Sequence, residues 1–99
     1  MIAVVTPHAF DDLYRACAWY GAHSDAAERI ADRFDKFLVD AERFPFIYPA
    51  VYRKYRRARL SGFPYHVYYR IRDEFVVVVL VVHAHRDPRW IKRTLRDRT

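Results

Sequence analysis

Two groups of side chains in this 99-residue chain are of types that do chemistry. The first is His83, His85 and Arg86, which close the run Phe75 to Arg86, FVVVVLVVHAHR. Histidines spaced H-x-H on a strand point to one face, an arrangement that can ligate a metal. The only ligand type that follows closely is Asp87, and the charge of Arg86 opposes a cation, so no metal is predicted. Hydrogen-bonded histidines at the end of a sheet explain the pair as well. The second group is the basic run Tyr52 to Leu60, YRKYRRARL. On one strand Arg57 and Arg59 share a face, and a hairpin partner offers His66, Arg70 or Arg72 beside them. With Arg86 these residues could hold a phosphodiester, the arginines neutralising phosphate and His66 or His85 moving a proton. A solvated edge strand that resists aggregation accounts for the same run without chemistry.

Tyr52, Tyr55, Tyr65, Tyr68 and Trp90 interleave with these charges, where they would stack on bases or pack at the sheet margin. Cys17 reads as a core residue, since no base stands beside it in sequence. His8 and His23 fall at helix ends and read as surface or capping residues.

The elements that must position these groups follow from hydrophobic periodicity. Phe75 to Val82 lacks Gly and Pro and is rich in β-branched residues, so it reads as a buried central strand. Strict alternation puts Val76, Val78, Leu80 and Val82 on one face and Val77, Val79 and Val81 on the other, so both faces need cover. Tyr65 to Arg72 alternates as well, with Tyr65, Val67, Tyr69 and Ile71 opposite His66, Tyr68, Arg70 and Arg72. Asp73 and Glu74 join these two strands as a hairpin, and Gly62 and Pro64 punctuate the turn before them. Tyr52 to Leu60 reads as one edge strand.

Met1 to Val5 is a short strand, and Thr6 with Pro7 is the N-cap and first position of a helix. That helix buries Phe10, Leu13, Cys17 and Tyr20, widened by Tyr14, carries Asp11 and Asp12 in its first turn, and ends at Gly21. Ser24 or Asp25 caps a second helix, with Glu28 completing a capping box, and its apolar face is Ala27, Ile30, Phe34, Phe37, Leu38 and Ala41. Pro45 and Pro49 end it. Asp87 and Pro88 start a short basic helix with Ile91 and Leu95 on one side. The order β-α-α-β-β-β-α predicts an α+β domain spanning residues 1–99, with an antiparallel helical hairpin on one face of a mainly antiparallel four-stranded sheet. The terminal helix, a partner, or both must cover the other face.

Composition bounds the function class. Hydrophobic residues make up 53% and aromatics 17%, which argues against disorder. No apolar stretch approaches the roughly 20 residues of a membrane span and no signal peptide opens the chain, so a cytoplasmic protein without membrane partners is expected. The single cysteine forms no internal disulfide. Net charge is +6, unevenly spread: residues 1–49 carry five Lys and Arg against eight acids, and residues 50–99 carry thirteen against four. The second half should seek something anionic, whether nucleic acid, a nucleic-acid machine or an acidic protein segment.

Three blocks stand in order along the chain, and the resemblance they carry covers nearly all of it. They are TPHAFDDL with WY after it, RRARLSGFPYHVYYRI over residues 56–71, and VVVLVVHAHRDPRW over residues 77–90. Together they resemble the RelE/ParE superfamily of type II toxin components, also known as plasmid stabilisation proteins. The resemblance implies a bacterial toxin neutralised by a cognate antitoxin, which in this family wraps an extended or helical segment around the toxin. Assembly as a homodimer or as a toxin–antitoxin hetero-oligomer is compatible with it. No cofactor is implied.

The superfamily divides by target. RelE-like members cleave mRNA on the ribosome with a basic pair on one strand, an arginine on the next, a later arginine and a tyrosine near the C-terminus. Arg57 and Arg59 match the pair and Arg86 the later arginine, while His66 stands where the middle arginine is expected and Trp90 is the aromatic nearest the tyrosine. ParE-like members bind and inhibit DNA gyrase, and the FPY and HAHRDP blocks resemble that branch. A ParE-like toxin with gyrase as target is therefore the expectation, with Arg86, Arg89, Trp90, Lys92, Arg93 and Arg96 as target-binding candidates. The alternatives are an mRNA endoribonuclease using Arg57, Arg59, His66, His85 and Arg86, and a non-toxic member that only binds its antitoxin.

Overall fold

The computed structural model describes residues 1–21 and 25–98, so the expectations for His23 and for Ser24 as a cap lie outside the described residues. The elements run β1 (Ile2–Val5), α1 (Pro7–Trp19), α2 (Ala26–Arg43), β2 (Ala50–Tyr52), β3 (Tyr55–Arg59), β4 (Tyr65–Arg72), β5 (Phe75–His83) and α3 (Pro88–Asp97). They form an α+β fold around one mixed sheet of order β1-β5-β4-β3-β2, parallel only between β1 and β5.

The sheet has five strands rather than four, because the Tyr52–Leu60 run is broken. Arg53 takes a left-handed backbone, φ +51°, and with Lys54 turns the chain back, so β2 becomes the edge and β3 is interior. A pattern with a basic residue at nearly every position carries no turn residue to announce that break.

α1 and α2 cover one face. Thr6 caps α1 by accepting from the Ala9 amide at 3.2 Å, and Gly21, at φ +78°, accommodates the reversal after the helix. The buried stripe of α1 is Ala9 and Ala16 with Leu13, Cys17 and Tyr20 packed against the core; Phe10 and Tyr14 are 64% and 68% exposed. The small alanines face the sheet and let the backbone approach, which turns Phe10 and Tyr14 outward. Asp11 and Asp12 lie beyond the first turn. α2 buries Ala26, Ile30, Phe34, Phe37 and Ala41. Asp25 stands at its N-cap without a side-chain cap bond and pairs with Arg29 at 3.6 Å, so the expected capping box does not form. The open edge of β1 is blunted by Glu42, whose carboxylate accepts from the Ala3 amide at 2.8 Å.

α3 covers the other face, over Tyr55, Tyr68, Val79, Leu80 and Val82, with Ile91 and Leu95 as its buried residues. The alternation in β5 is interrupted. Tyr68 opposes Leu80 while the adjacent Tyr69 opposes Val78, leaving Val79 as an extra residue. Val76 and Val78 therefore face the helical hairpin, but Leu80 and Val82 face α3, and Val81 joins the hairpin side.

Past Val78 β5 has no β1 strand beside it, and a nearly buried ion pair takes up two of its backbone groups. Asp12 accepts from the Val81 amide at 3.2 Å and from Arg98 at 2.6 Å, while Arg98 also donates to the Val79 carbonyl at 3.0 Å. The two side chains are only 10% and 15% exposed. α1, β5 and the end of α3 are thus tied at one point.

Candidate functional site

α3 begins where β5 ends, and a cleft of about 140 Å³ lies between its first turn and the sheet. Arg57 from β3, His66 and Tyr68 from β4, Tyr52 from β2, Arg86 from the loop before α3, and Pro88, Ile91 and Lys92 from its first turns line it. The geometry follows from period 2: Arg57, His66 and Tyr68 occupy the α3 face because Ala58 and Val67, their neighbours in sequence, are buried against the hairpin. Arg57 pairs in register with Tyr68, and Arg59 with His66.

His66 is the group whose ionisation this arrangement changes most directly. Its pKa is lowered, first by burial and then by the charges of Arg57, Arg59, His83 and His85. A neutral imidazole among cations is suited to accept a proton while the arginines hold an anion. Among the described residues no carboxylate lines the cleft.

The residues expected to act together are only partly brought together. Arg57, His66, Arg86 and Lys92 converge on the cleft. Arg59 extends instead along another groove, with Arg33, Lys36 and Asp40, although its charge is still felt at His66. The strand ends at His83, so His85 lies in the following turn rather than one strand repeat on. Its amide donates to Nδ1 of His83 at 3.1 Å, and the two rings lie 5.5 Å apart beside Tyr65. Among the described residues no group of three or more His, Cys, Asp or Glu is placed to hold a metal. Arg70 points away from the cleft to the far end of α3.

Arg86 is held by Trp90, its guanidinium carbon 4.0 Å from the ring centroid. Asp87 caps α3 by accepting from the Arg89 amide at 2.8 Å, and its pKa is lowered chiefly by that bond. With Ile91 and Leu95 turned to the sheet, Arg89 and Arg93 are exposed on the outer side of the helix, and Lys92 and Arg96, also exposed, stand at its flanks over the two ends of the sheet. Tyr52 and Tyr68 were legible only as packing or stacking residues, yet the fold brings both phenols to the cleft. Their signal is the shared α3 face: Tyr68 stands two residues after His66, and Tyr52 reaches Lys92, whose ammonium lies 5.7 Å from its ring centroid.

Comparison with known proteins agrees with this architecture. Residues 3–88 match the family model described as the ParE toxin of the type II toxin–antitoxin system parDE. The chain is 31% identical over 94 residues to Toxin ParE2 of Mycobacterium tuberculosis, in strains CDC 1551 / Oshkosh and ATCC 25618 / H37Rv, covering 90% of this chain and 87% of the relative. Among solved structures, the chromosomal ParDE system of P. aeruginosa superposes with a TM-score of 0.74 at 13% identity, over 86% of this chain and 97% of that one. The isolated E. coli RelE toxin superposes at 0.58 and 19% identity, over 97% of each chain. Those two likenesses concern the fold; the family match and the curated relative carry the assignment, and this chain belongs to the ParE toxins of type II toxin–antitoxin systems, within the RelE/ParE superfamily.

Proposed function

We propose that this protein is neutralised by a cognate antitoxin and acts by binding DNA gyrase through the outer face of α3. The observation that carries the reading is that face: Arg89, Lys92, Arg93 and Arg96 stand in solvent on a helix anchored by Ile91 and Leu95, with Arg86 stacked on Trp90 at its start. A rigid cationic helix with one aromatic anchor suits recognition of a large anionic partner, since arginine and tryptophan concentrate binding energy at interfaces. The test is gyrase supercoiling with antitoxin-free protein. Inhibition at the concentrations that arrest growth is expected, and unaffected supercoiling at those concentrations overturns the reading.

A second reading, ribosome-dependent mRNA cleavage, is supported by the cleft that gathers Arg57, His66, Arg86 and two tyrosines. Tyr52 or Tyr68 would supply the phenol that Trp90 lacks. If His66→Ala and His85→Ala abolish growth arrest while folding and antitoxin binding persist, and ribosome-bound mRNA stays intact only in those variants, this reading replaces the first.

A further inference from the structure

A second basic cleft lies at the other end of α3, about 380 Å³ in volume and lined by Arg53, Lys54, Tyr55, Arg70 and Arg96. Four cations meet there with no carboxylate in the lining, and none of the four takes part in an ion pair among the described residues. Such a cluster is self-repulsive unless an anion enters it. Its floor is Tyr55, whose hydroxyl donates to the Leu95 carbonyl at 3.1 Å and so joins β3 to α3.

The turn that delivers two of these cations is chosen against local preference. Arg53, at φ +51°, sits in the left-handed region that Gly, Asn and Asp tolerate best, yet both turn positions are cationic. Its guanidinium carbon is 5.3 Å from the Tyr52 ring centroid, which orients the side chain.

We propose that this cleft binds a polyphosphate chain, as in a nucleoside triphosphate or an inorganic polyphosphate. Guanidinium groups match phosphate oxygens in pairs, and three of the four cations are arginines. The volume falls in the range of about 300–1,000 Å³ typical of small-molecule sites, whereas the cleft at the start of α3 is well below it. The site is separate from the outer α3 face except for Arg96, and it does not depend on gyrase being the target.

The experiment titrates the full chain with inorganic tripolyphosphate and, separately, with ATP by calorimetry. Wild type should bind one equivalent. Arg70→Gln should weaken binding by about tenfold, the loss of one charge-assisted contact. Arg53→Gly should weaken it similarly while melting no lower than wild type, because glycine relieves the left-handed backbone. Arg57→Gln, in the first cleft, should leave it unchanged. ATP binding more tightly than tripolyphosphate identifies a nucleotide, and equal affinity identifies the phosphate chain alone. Absence of saturable binding, or equal weakening by Arg57→Gln, overturns the proposal. So does displacement by single-stranded oligonucleotides with affinity rising with length, which would make the whole basic face a polynucleotide track. Should Arg70→Gln fail to fold, Lys54→Gln takes its place.

Discussion

At the scale of single residues, His66 shows how a composition-level signal becomes a chemical one. Its pKa is lowered by burial and by four neighbouring basic groups, so folding disfavours the imidazolium. Above its ordinary value of 6.5 the residue is neutral in both folded and unfolded chains and carries no penalty. As pH falls through 6.5 the unfolded chain takes up the proton first, and stability declines until the folded pKa is passed. Denaturation midpoints measured across this range should therefore fall with pH in wild type, and less steeply in His66→Gln; parallel curves would show that His66 is not the titrating group. Tyr69 offers a simpler case. Fully buried, with its hydroxyl donating to the Pro45 carbonyl at 2.6 Å and its pKa raised to about 12 chiefly by burial, it ties the sheet to the end of α2. Tyr69→Phe should cost about 1 kcal/mol in urea unfolding, the net value of one such bond.

At the scale of elements, the position of α3 decides which residues form a site. Its buried pair Ile91 and Leu95 was readable from spacing, as were its cap Asp87 and first residue Pro88. What holds its far end was not, because Asp12 and Arg98 lie 86 residues apart and neither position is marked locally. The charges are nearly buried, so the cost of desolvating them is offset only while the pair and the β5 edge groups of Val79 and Val81 are all satisfied. Asp12→Ala leaves a buried guanidinium and an unpaired amide and should destabilise the fold by about 3 kcal/mol. The apolar double replacement Asp12→Leu with Arg98→Met should recover part of that. About 1–3 kcal/mol would remain, since the β5 edge still presents the Val81 amide and Val79 carbonyl to an apolar environment. Urea midpoints of the three proteins check both figures, and amide exchange at Val81 should accelerate in each variant.

At the scale of the whole molecule, charge and apolar surface are sorted onto different regions. Arg53, Lys54, Arg57, Arg70 and Arg86 gather with the cations of α3 on the face opposite the helical hairpin, whereas Arg56 and Arg59 lie on the hairpin side, and Ile2, Val4, Phe10, Tyr14 and Trp19 remain exposed on β1 and α1. Electrostatic docking through the α3 face predicts that Arg89→Gln combined with Arg93→Glu abolishes growth arrest, with unfolding free energy within about 0.5 kcal/mol of wild type. Growth assays beside thermal melts read both. Retained toxicity in that double variant would remove the helix face from the mechanism. Among the described residues no helix is long and apolar enough to cross a membrane.

Sequence alone determined what depends on local pattern: the α+β order of elements, the Thr6–Pro7 and Asp87–Pro88 helix starts, the apolar face of α2, the alternation of β4 and the resemblance to a toxin superfamily. These follow from side-chain period and capping chemistry within a few residues. Only the tertiary structure decided where that period breaks. The turn at Arg53 and Lys54 contains no Gly, Asn, Asp or Pro and the bulge at Val79 lies inside a run of valines, so neither is visible until long-range partners are in place. The same breaks decide the sites: the turn carries Arg53 and Lys54 to the far cleft, and the bulge turns Leu80 and Val82 towards α3, which then closes over Arg57, His66 and Arg86.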